Sequence, residues 1–175
     1  MRKLLIATLL LLAVQAMATE PDPILKQQLG YLARNFACKG IAYASPMAPE
    51  HPTQGIVTAG WTLGGYWVGF TYAEKKTAQN PMPFTVRGVM GYDPQTKKLV
   101  MGSADDMGGY SSSGSDGWNG DALVWVGPWH MGSQTVTGRD TFTKKSATEM
   151  THRAEIEMDG KWVTLGQETC TAAKK

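Results

Sequence analysis

Short segments in which apolar and polar residues alternate fill most of this chain, and they constrain its fold more than any other feature. Val, Thr, Tyr and Trp recur in these segments, and Gly, Pro, Asn and Asp separate them at short intervals. A period of two residues is typical of half-buried strands, and closely spaced turn residues indicate a meander of antiparallel neighbours. The predicted strands cover residues 36–45, 54–63, 66–75, 84–93, 98–105, 121–130, 134–143, 147–157 and 161–170, with a weaker tenth near 107–113.

The turns between these segments carry local signals of hairpins. Gly64-Gly65 and Asp159-Gly160 each separate two alternating runs, and both dipeptides tolerate the positive φ of tight hairpin turns. Asp93-Pro94-Gln95-Thr96 places proline where a turn needs its fixed φ. Longer loops are expected at Pro46–Pro52 and at the Ser- and Gly-rich Gly108–Gly120, where binding residues often collect.

One short helix is predicted before the strands. Asp22 suits the N-cap and Pro23 the first helical position. Leu25, Leu29 and Leu32 fall on one face of that helix, which should pack against the strands.

The first eighteen residues have the pattern of a secretory signal peptide. Arg2 and Lys3 form a basic start, Leu4–Val14 is apolar, and Ala16-Met17-Ala18 supplies the small residues of a cleavage site. The apolar run is too short for a stable membrane anchor. We therefore expect cleavage after Ala18, one mature domain over residues 19–175, and secretion, in a bacterium into the periplasm.

Charge argues against a nucleic-acid partner. The signal peptide removes two basic residues, so the mature chain has 15 acidic residues and an equal number of basic ones. Nucleic-acid binders normally show a basic surplus or stripe. Charge and composition leave the oligomeric state open.

Cys38 and Cys170 lie near opposite ends of the mature chain. In an oxidising compartment an isolated pair usually forms a disulfide, and the first and last strands of a closed up-and-down barrel are neighbours. Free buried thiols and metal ligation are the alternatives, although no further Cys or His repeats a metal-ligand spacing. Together these patterns predict an all-β, closed antiparallel up-and-down barrel of 8–10 strands with one short N-terminal helix.

Several segments resemble a bacterial family called domain of unknown function fifteen seventy-nine. They are Leu29-Gly30 leading into Phe36-Ala37-Cys38-Lys39-Gly40, Gly60-Trp61-Thr62-Leu63-Gly64-Gly65, Asn80-Pro81-Met82-Pro83-Phe84, Gly91-Tyr92-Asp93, Arg139–Lys145 and Met158–Trp162. The resemblance covers nearly the whole mature chain and implies a lipocalin-like (calycin) barrel with no assigned reaction. Calycins typically begin their first strand with Gly-x-Trp, whereas this chain has Arg34-Asn35-Phe36, which makes Phe36 the expected plug of the barrel floor.

Common catalytic motifs are absent from the sequence. Gly109–Gly114 has one residue too many for a nucleophile elbow, and there is no His-Glu-x-x-His, Cys-x-x-Cys-His or Gly-rich nucleotide loop. Binding is therefore favoured over catalysis.

His152 is the most informative of the three histidines. Residues two apart on a strand share a face, so His152 should face inward with the apolar residues Met150, Ala154, Ile156 and Met158. An inward imidazole could orient a ligand, act with a carboxylate such as Asp105 in an enzyme, or serve as an axial haem ligand as in the distantly similar nitrobindin barrels. The alternative is a core histidine bonded to a neighbour.

Two acidic pairs offer weaker candidates. Neighbouring residues on a strand point to opposite faces, so Asp105-Asp106 is expected to be a solvated strand end. Asp140 shares a face with the apolar Phe142, which favours an outward Arg139.

Aromatic and methionine residues supply the case for binding. All six Trp and all but two of the ten Met lie in the mature chain, and Met adapts to varied apolar guests. The predicted ligand-binding residues are His152, Trp67, Trp125, Met90, Met101, Met150 and Met158, and the predicted ligand is a small apolar or amphipathic molecule. No resident metal is predicted, because the methionines are scattered. A filled core is the alternative, and so is a protein-interaction module that uses rim loops such as Gly108–Gly120 with Trp118 as anchor.

Overall fold

The computed structural model describes residues 20–45 and 49–173. Its elements are α1 Pro23–Leu29, β1 Phe36–Ala42, β2 His51–Thr62, β3 Trp67–Glu74, β4 Thr85–Asp93, β5 Lys98–Asp105, β6 Tyr110–Ser115, β7 Trp118–Asn119, β8 Ala122–Met131, β9 Gln134–Lys144, β10 Glu149–Met158 and β11 Lys161–Ala172. The predicted signal peptide lies outside the described residues. Within them, no helix has the length and apolarity that a membrane span needs.

The strands close into an antiparallel ring. Strands β1 to β6 pair with one another in sequence order, strands β8 to β11 do the same, and the pairs β1–β11 and β6–β8 close the ring. β7 is a two-residue strand that pairs with β8 beside the ring. The predicted all-β, up-and-down barrel is therefore confirmed as a ring of ten strands with one short N-terminal helix.

The weak tenth strand is real and corresponds to β6. The predicted long loop Gly108–Gly120 therefore contains two strands, and Ser113 and Ser115 of β6 are buried. Serine and glycine favour loops in isolation, but their small side chains fit where β6 meets β8. The predicted loop Pro46–Pro52 is also shorter than expected, because Pro52 pairs with Ile41 inside β2; residues 46–48 lie outside the described part of the chain.

The tight turns have the backbone conformations that their residues predicted. Asp159 and Gly160 have φ values of 51° and 72°, and Gly64 and Gly65 have 69° and 89°, as their tight turns require. In the β4–β5 turn, the Asp93 carboxylate accepts hydrogen bonds from the Gln95 amide and the Thr96 hydroxyl, at 2.9 and 2.6 Å.

Helix α1 covers one end of the barrel. The Asp22 carboxylate accepts from the Ile24 amide at 2.9 Å, the expected N-cap bond. The helix ends at Leu29, yet Leu32 in the following turn is buried with Leu25 and Leu29.

Phe36 is buried beneath this helix, in the position expected of a floor plug. Its ring lies 6.1 Å from that of Tyr31, centroid to centroid. The Tyr31 hydroxyl donates to the Glu149 carbonyl at 2.8 Å, which ties the chain after the helix to β10.

A disulfide joins Cys38 of β1 to Cys170 of β11. The two residues are direct cross-strand partners, so the bond links the first and last strands of the ring, as predicted. The free-thiol and metal-ligand alternatives are therefore wrong.

Candidate functional site

The inward face of the barrel divides into two parts. We call the part beneath α1 the apolar floor; its members are Leu25, Leu29, Leu32, Phe36, Val68, Met90, Leu99, Met101, Leu123, Trp125 and Met150, all of them buried in one cluster. Four predicted ligand-binding residues, Met90, Met101, Trp125 and Met150, belong to it. The filled-core interpretation therefore holds for this part of the interior.

Trp67 and Met158 lie away from the interior. Trp67 precedes the inward Val68, so its ring lies on the outer face, where a Cβ added to Gly91 would come 2.6 Å from it. Met158 ends β10 and is half exposed, because the strand leaves the barrel rim there.

His152 faces inward as alternation predicted, and it is paired with Asp140. Its Nε2 lies 2.8 Å from Asp140 Oδ1, and its ring stacks on Phe142 with centroids 4.7 Å apart. The pairings Phe142–His152 and Trp125–Asp140 place both side chains on the same face as the apolar floor. This is the inward face of β9 and β10.

The pair is nevertheless reached by solvent. The side chains of His152 and Asp140 are 25% and 16% exposed. Both side chains point inward, so the space beside them is not completely filled by protein. Eight-stranded barrels have just enough room for their own side chains or one small ligand. A ring of ten is wider.

The charges around His152 favour its protonated form. Burial lowers the pKa of His152, but the hydrogen bond to Asp140 and the charges of Asp140 and Glu168 outweigh burial and raise it. A metal needs a neutral imidazole nitrogen with a free lone pair. Asp140 occupies Nε2, so haem iron would have to bind His152 through Nδ1.

Glu168 extends the His152–Asp140 pair toward β2 and β3, beyond the β1–β11 pairing that closes the ring. It is buried, it pairs with His152 across β10–β11, and its Oε1 accepts from Thr53 Oγ1 at 2.8 Å and from the Tyr72 hydroxyl at 2.7 Å. Burial, followed by the charge of Glu168 and the hydrogen bond to it, raises the pKa of Tyr72. Tyr72 therefore remains a hydrogen-bond donor at every physiological pH.

The Glu74 carboxylate joins Tyr72 to the β3–β4 loop. Its Oε2 accepts from Asn80 Nδ2 at 2.8 Å and from the Phe84 amide at 3.0 Å, and its Oε1 lies 3.5 Å from the Tyr72 hydroxyl. We call Thr53, Tyr72, Glu74, Asp140, His152 and Glu168 the polar site. Only the inward direction of His152 and Asp140 was predicted; Glu168 shares a face with Cys170, which is the sequence signal that could have revealed it.

Asp105 is not the partner of His152. Its Oδ1 accepts from the amides of Met107 and Gly109, at 2.9 and 2.7 Å, so it closes the β5–β6 turn. Asp106 likewise caps a loop by accepting from the Thr85 amide at 3.0 Å. The carboxylate beside His152 is Asp140, and the prediction of Asp105 is wrong.

Arg139 lies on the outer face, as alternation favoured. Its guanidinium donates to Glu155 at 2.8 Å and lies 4.1 Å from the ring centroid of Trp162. Glu155 is buried beneath these side chains although it points outward.

Trp118 is not available as a partner anchor. Its Nε1 donates to the Gln28 carbonyl at 2.6 Å, and Lys144 Nζ lies 3.6 Å from its ring centroid. The indole holds α1 against the barrel instead.

The remaining histidines pair locally. His130 stacks on Tyr110 at 4.1 Å and its Nδ1 lies 2.9 Å from Thr135 Oγ1, while His51 Nδ1 lies 2.9 Å from the Pro49 carbonyl. Neither belongs to the polar site.

Comparisons with known proteins support the fold and no finer statement. No protein-family model and no curated protein matches the chain, so the family resemblance remains a prediction. Among solved structures, the barrel is similar to the crystal structure of Rv2717c from M. tuberculosis, with a TM-score of 0.66 and 11% identity over 89% of this chain and 100% of that one. The chain is thus similar in fold to a lipocalin-like barrel protein.

Proposed function

We propose that this protein binds a small amphipathic molecule in the open part of its barrel, above the apolar floor, without transforming it. The observation that carries the proposal is the exposure of His152 and Asp140 on the inward face. Apolar walls with a few placed polar groups are typical of small-molecule pockets. The aromatic ring of Phe142 and the polar site supply both kinds of surface. The resemblance to a family of secreted barrels supports the same proposal.

The test is native mass spectrometry of the protein purified from its own source. We expect a bound molecule that is released on denaturation. Ala154→Phe, which adds an aromatic ring beside Asp140 on the inward face, should remove that molecule. Thr151→Phe on the outward face of the same strand is the matched control and should retain it. A wild-type mass equal to that of the bare polypeptide would contradict the proposal.

An enzyme is the second candidate, because a histidine hydrogen-bonded to a carboxylate is the arrangement of a general base and its orienting group. Asp140, in place of Asp105, would hold the His152 ring. If the retained molecule is converted on incubation with the protein, His152→Gln should abolish conversion, whereas Arg153→Gln on the outer face should not. A retained molecule that stays unchanged favours binding.

Export supports the same proposal and is itself testable. The pattern of residues 1–18 and the Cys38–Cys170 disulfide both suit a protein that matures in an oxidising compartment. N-terminal sequencing of the exported protein should begin at Thr19. A mature chain that still begins at Met1 would contradict it.

A further inference from the structure

The polar site contains more negative than positive charge. Its carboxylates are Glu74, Asp140 and Glu168, and its one cation is the imidazolium of His152. No lysine or arginine of the described residues forms an ion pair with any of these carboxylates, since the ion pairs that such side chains make all lie outside the polar site. The negative charge of the site is therefore compensated only in part.

Two carboxylate oxygens in the site accept no hydrogen bond from a described residue. Asp140 uses Oδ1 for His152, which leaves Oδ2. Glu168 uses Oε1 for Thr53 and Tyr72, which leaves Oε2. Solvent reaches both free oxygens, because the buried side-chain atoms without a partner in the described part of the chain belong to one serine and two tryptophans.

The free oxygen of Glu168 is reached from inside the barrel. Glu168 is the cross-strand partner of the inward His152, so it lies on the inward face of β11. The residue as a whole is only 9% exposed. A donor that enters the interior beside His152 can therefore reach a carboxylate oxygen that the protein itself does not use.

Aromatic rings lie on the same inward face. Phe70, Tyr72 and Phe142 pack against the apolar floor and are only partly buried. Phe142 also stacks on the imidazole of His152. Such rings offer apolar contact area, and their faces attract cations. The surroundings of the free oxygens therefore suit a molecule with one charged end and an apolar body.

The chemistry of the free oxygens selects a cationic donor. A carboxylate ligand would meet two carboxylate oxygens, and an alcohol would offer one uncharged donor. An ammonium group offers three N–H donors and a positive charge, and hydrogen bonds between ions are about twice as strong as neutral ones. The imidazolium of His152 repels a second cation, but its one charge does not offset the carboxylates of both Asp140 and Glu168 beside it.

We propose that the polar site binds the ammonium group of a small amphipathic primary amine. This inference rests on the proposed function and names its ligand class. The ammonium group donates to Asp140 Oδ2 and Glu168 Oε2. The apolar chain of the amine packs against the rings of Phe70 and Phe142.

The test compares hexylamine, hexanol and hexanoate, three probes with the same number of carbons, on the mature protein with its disulfide intact. The ¹H–¹³C signals of the His152 and Phe142 rings report binding in the interior. We expect hexylamine to bind at least about tenfold more tightly than hexanol, and hexanoate to bind most weakly. The mature chain has equal numbers of acidic and basic residues, so its overall charge does not produce this order.

Two variants test the free oxygens directly. Asp140→Asn and Glu168→Gln each remove one negative charge and keep one acceptor oxygen. Each should weaken hexylamine binding about tenfold and change hexanol binding by less than about twofold, as loss of a hydrogen bond between ions predicts. Glu157→Gln, on the exposed outer face of β10, changes the net charge equally and is the matched control. It should leave the binding of both probes unchanged.

Every other outcome overturns the inference. Equal binding of hexylamine and hexanol, with shifts at His152 and Phe142, would refute selection of a cation while the proposed function stands. Tightest binding of hexanoate would mean that the imidazolium binds an anion. Hexylamine binding that neither interior variant weakens, or that Glu157→Gln weakens as much, would mean that the amine binds elsewhere. If no probe shifts the interior signals, the amine inference fails, and the mass of the protein purified from its own source decides the proposed function independently.

Discussion

The apolar floor and the polar site are built on the same ring of strands, yet they differ in almost every physical property. The floor is buried, carries leucine, methionine and aromatic side chains, and is covered by α1. Hydrogen bonds in the polar site join β11 to β2 and β3, and β9 to β10. The site contains three carboxylates and one imidazole, and its His152–Asp140 pair is partly exposed. The comparison indicates that buried apolar packing is concentrated beneath α1, whereas the polar side chains of the interior are partly exposed.

The covering elements explain part of the difference. Trp118, Tyr31 and Arg34 hold the region of α1 in place through bonds to Gln28, Glu149 and Ala147. The β3–β4 loop is held by the Glu74 carboxylate, which accepts from Asn80 and Phe84, and by backbone hydrogen bonds such as that from the Lys75 amide to the Gln54 carbonyl at 2.7 Å. The floor is thereby covered, whereas His152 and Asp140 of the polar site stay partly exposed.

The comparison predicts its largest effect for a large-to-small change in the floor. Phe36→Ala should lower the free energy of unfolding by about 3–5 kcal/mol, because it removes buried apolar contacts and leaves a cavity. Phe142→Ala, at the half-buried ring beside His152, is the matched variant and should cost about half as much. Urea unfolding monitored by fluorescence measures both. Equal losses would show that the two parts are packed alike.

Removal of the disulfide should rank next. The double variant Cys38→Ala/Cys170→Ala should lose about 2–4 kcal/mol, chiefly because the unfolded chain is no longer closed between residues 132 apart. Reduction of the wild-type protein under denaturing conditions should give a similar loss. A double variant as stable as the oxidised protein would contradict this role of the bond.

A smaller loss is expected when Glu168 is removed from the polar site. Glu168→Ala should cost about 1–3 kcal/mol, because the hydroxyls of Thr53 and Tyr72 lose their acceptor. Glu168→Gln keeps an acceptor oxygen and should recover most of that stability. Thr169→Ala, on the outward face, is the control. A glutamine variant as unstable as the alanine variant would show that charge, and not hydrogen bonding, holds the site together.

The smallest effect should depend on pH. Folding raises the pKa of His152 above its ordinary 6.5, so its stabilising contribution is complete at lower pH and is lost as pH rises through the folded-state value. The difference in unfolding free energy between wild type and His152→Gln should therefore be larger at about pH 5.5 than at about pH 9. NMR titration of the imidazole in Asp140→Asn should show a lower pKa than in wild type. A difference that grows with pH would contradict the pairing.

The sequence predicted the direction of the side chains in the site more readily than the contacts between them. Alternation along β10 gave the inward direction of His152, and alternation along β9 gave that of Asp140. It did not give their contact, since Asp140 reaches His152 only because β9 and β10 pair with Phe142 opposite His152. It also placed Trp67 and Met158 in the binding set, because composition does not distinguish an outer face or a strand end from the interior.

By itself, the sequence determined the strand segments, their turns and the helix cap, because these follow from local backbone preferences and the period of two. It also gave the cysteine pair, because an isolated pair in an oxidising compartment is usually bonded and a closed barrel makes its first and last strands neighbours. Only the tertiary structure decided which carboxylate meets His152, that Trp118 anchors α1, and that Glu168 accepts from Thr53 and Tyr72. Those contacts depend on strand register and on how the ring tilts as it closes. Register is a property of two paired strands, so the sequence of one strand alone does not specify it.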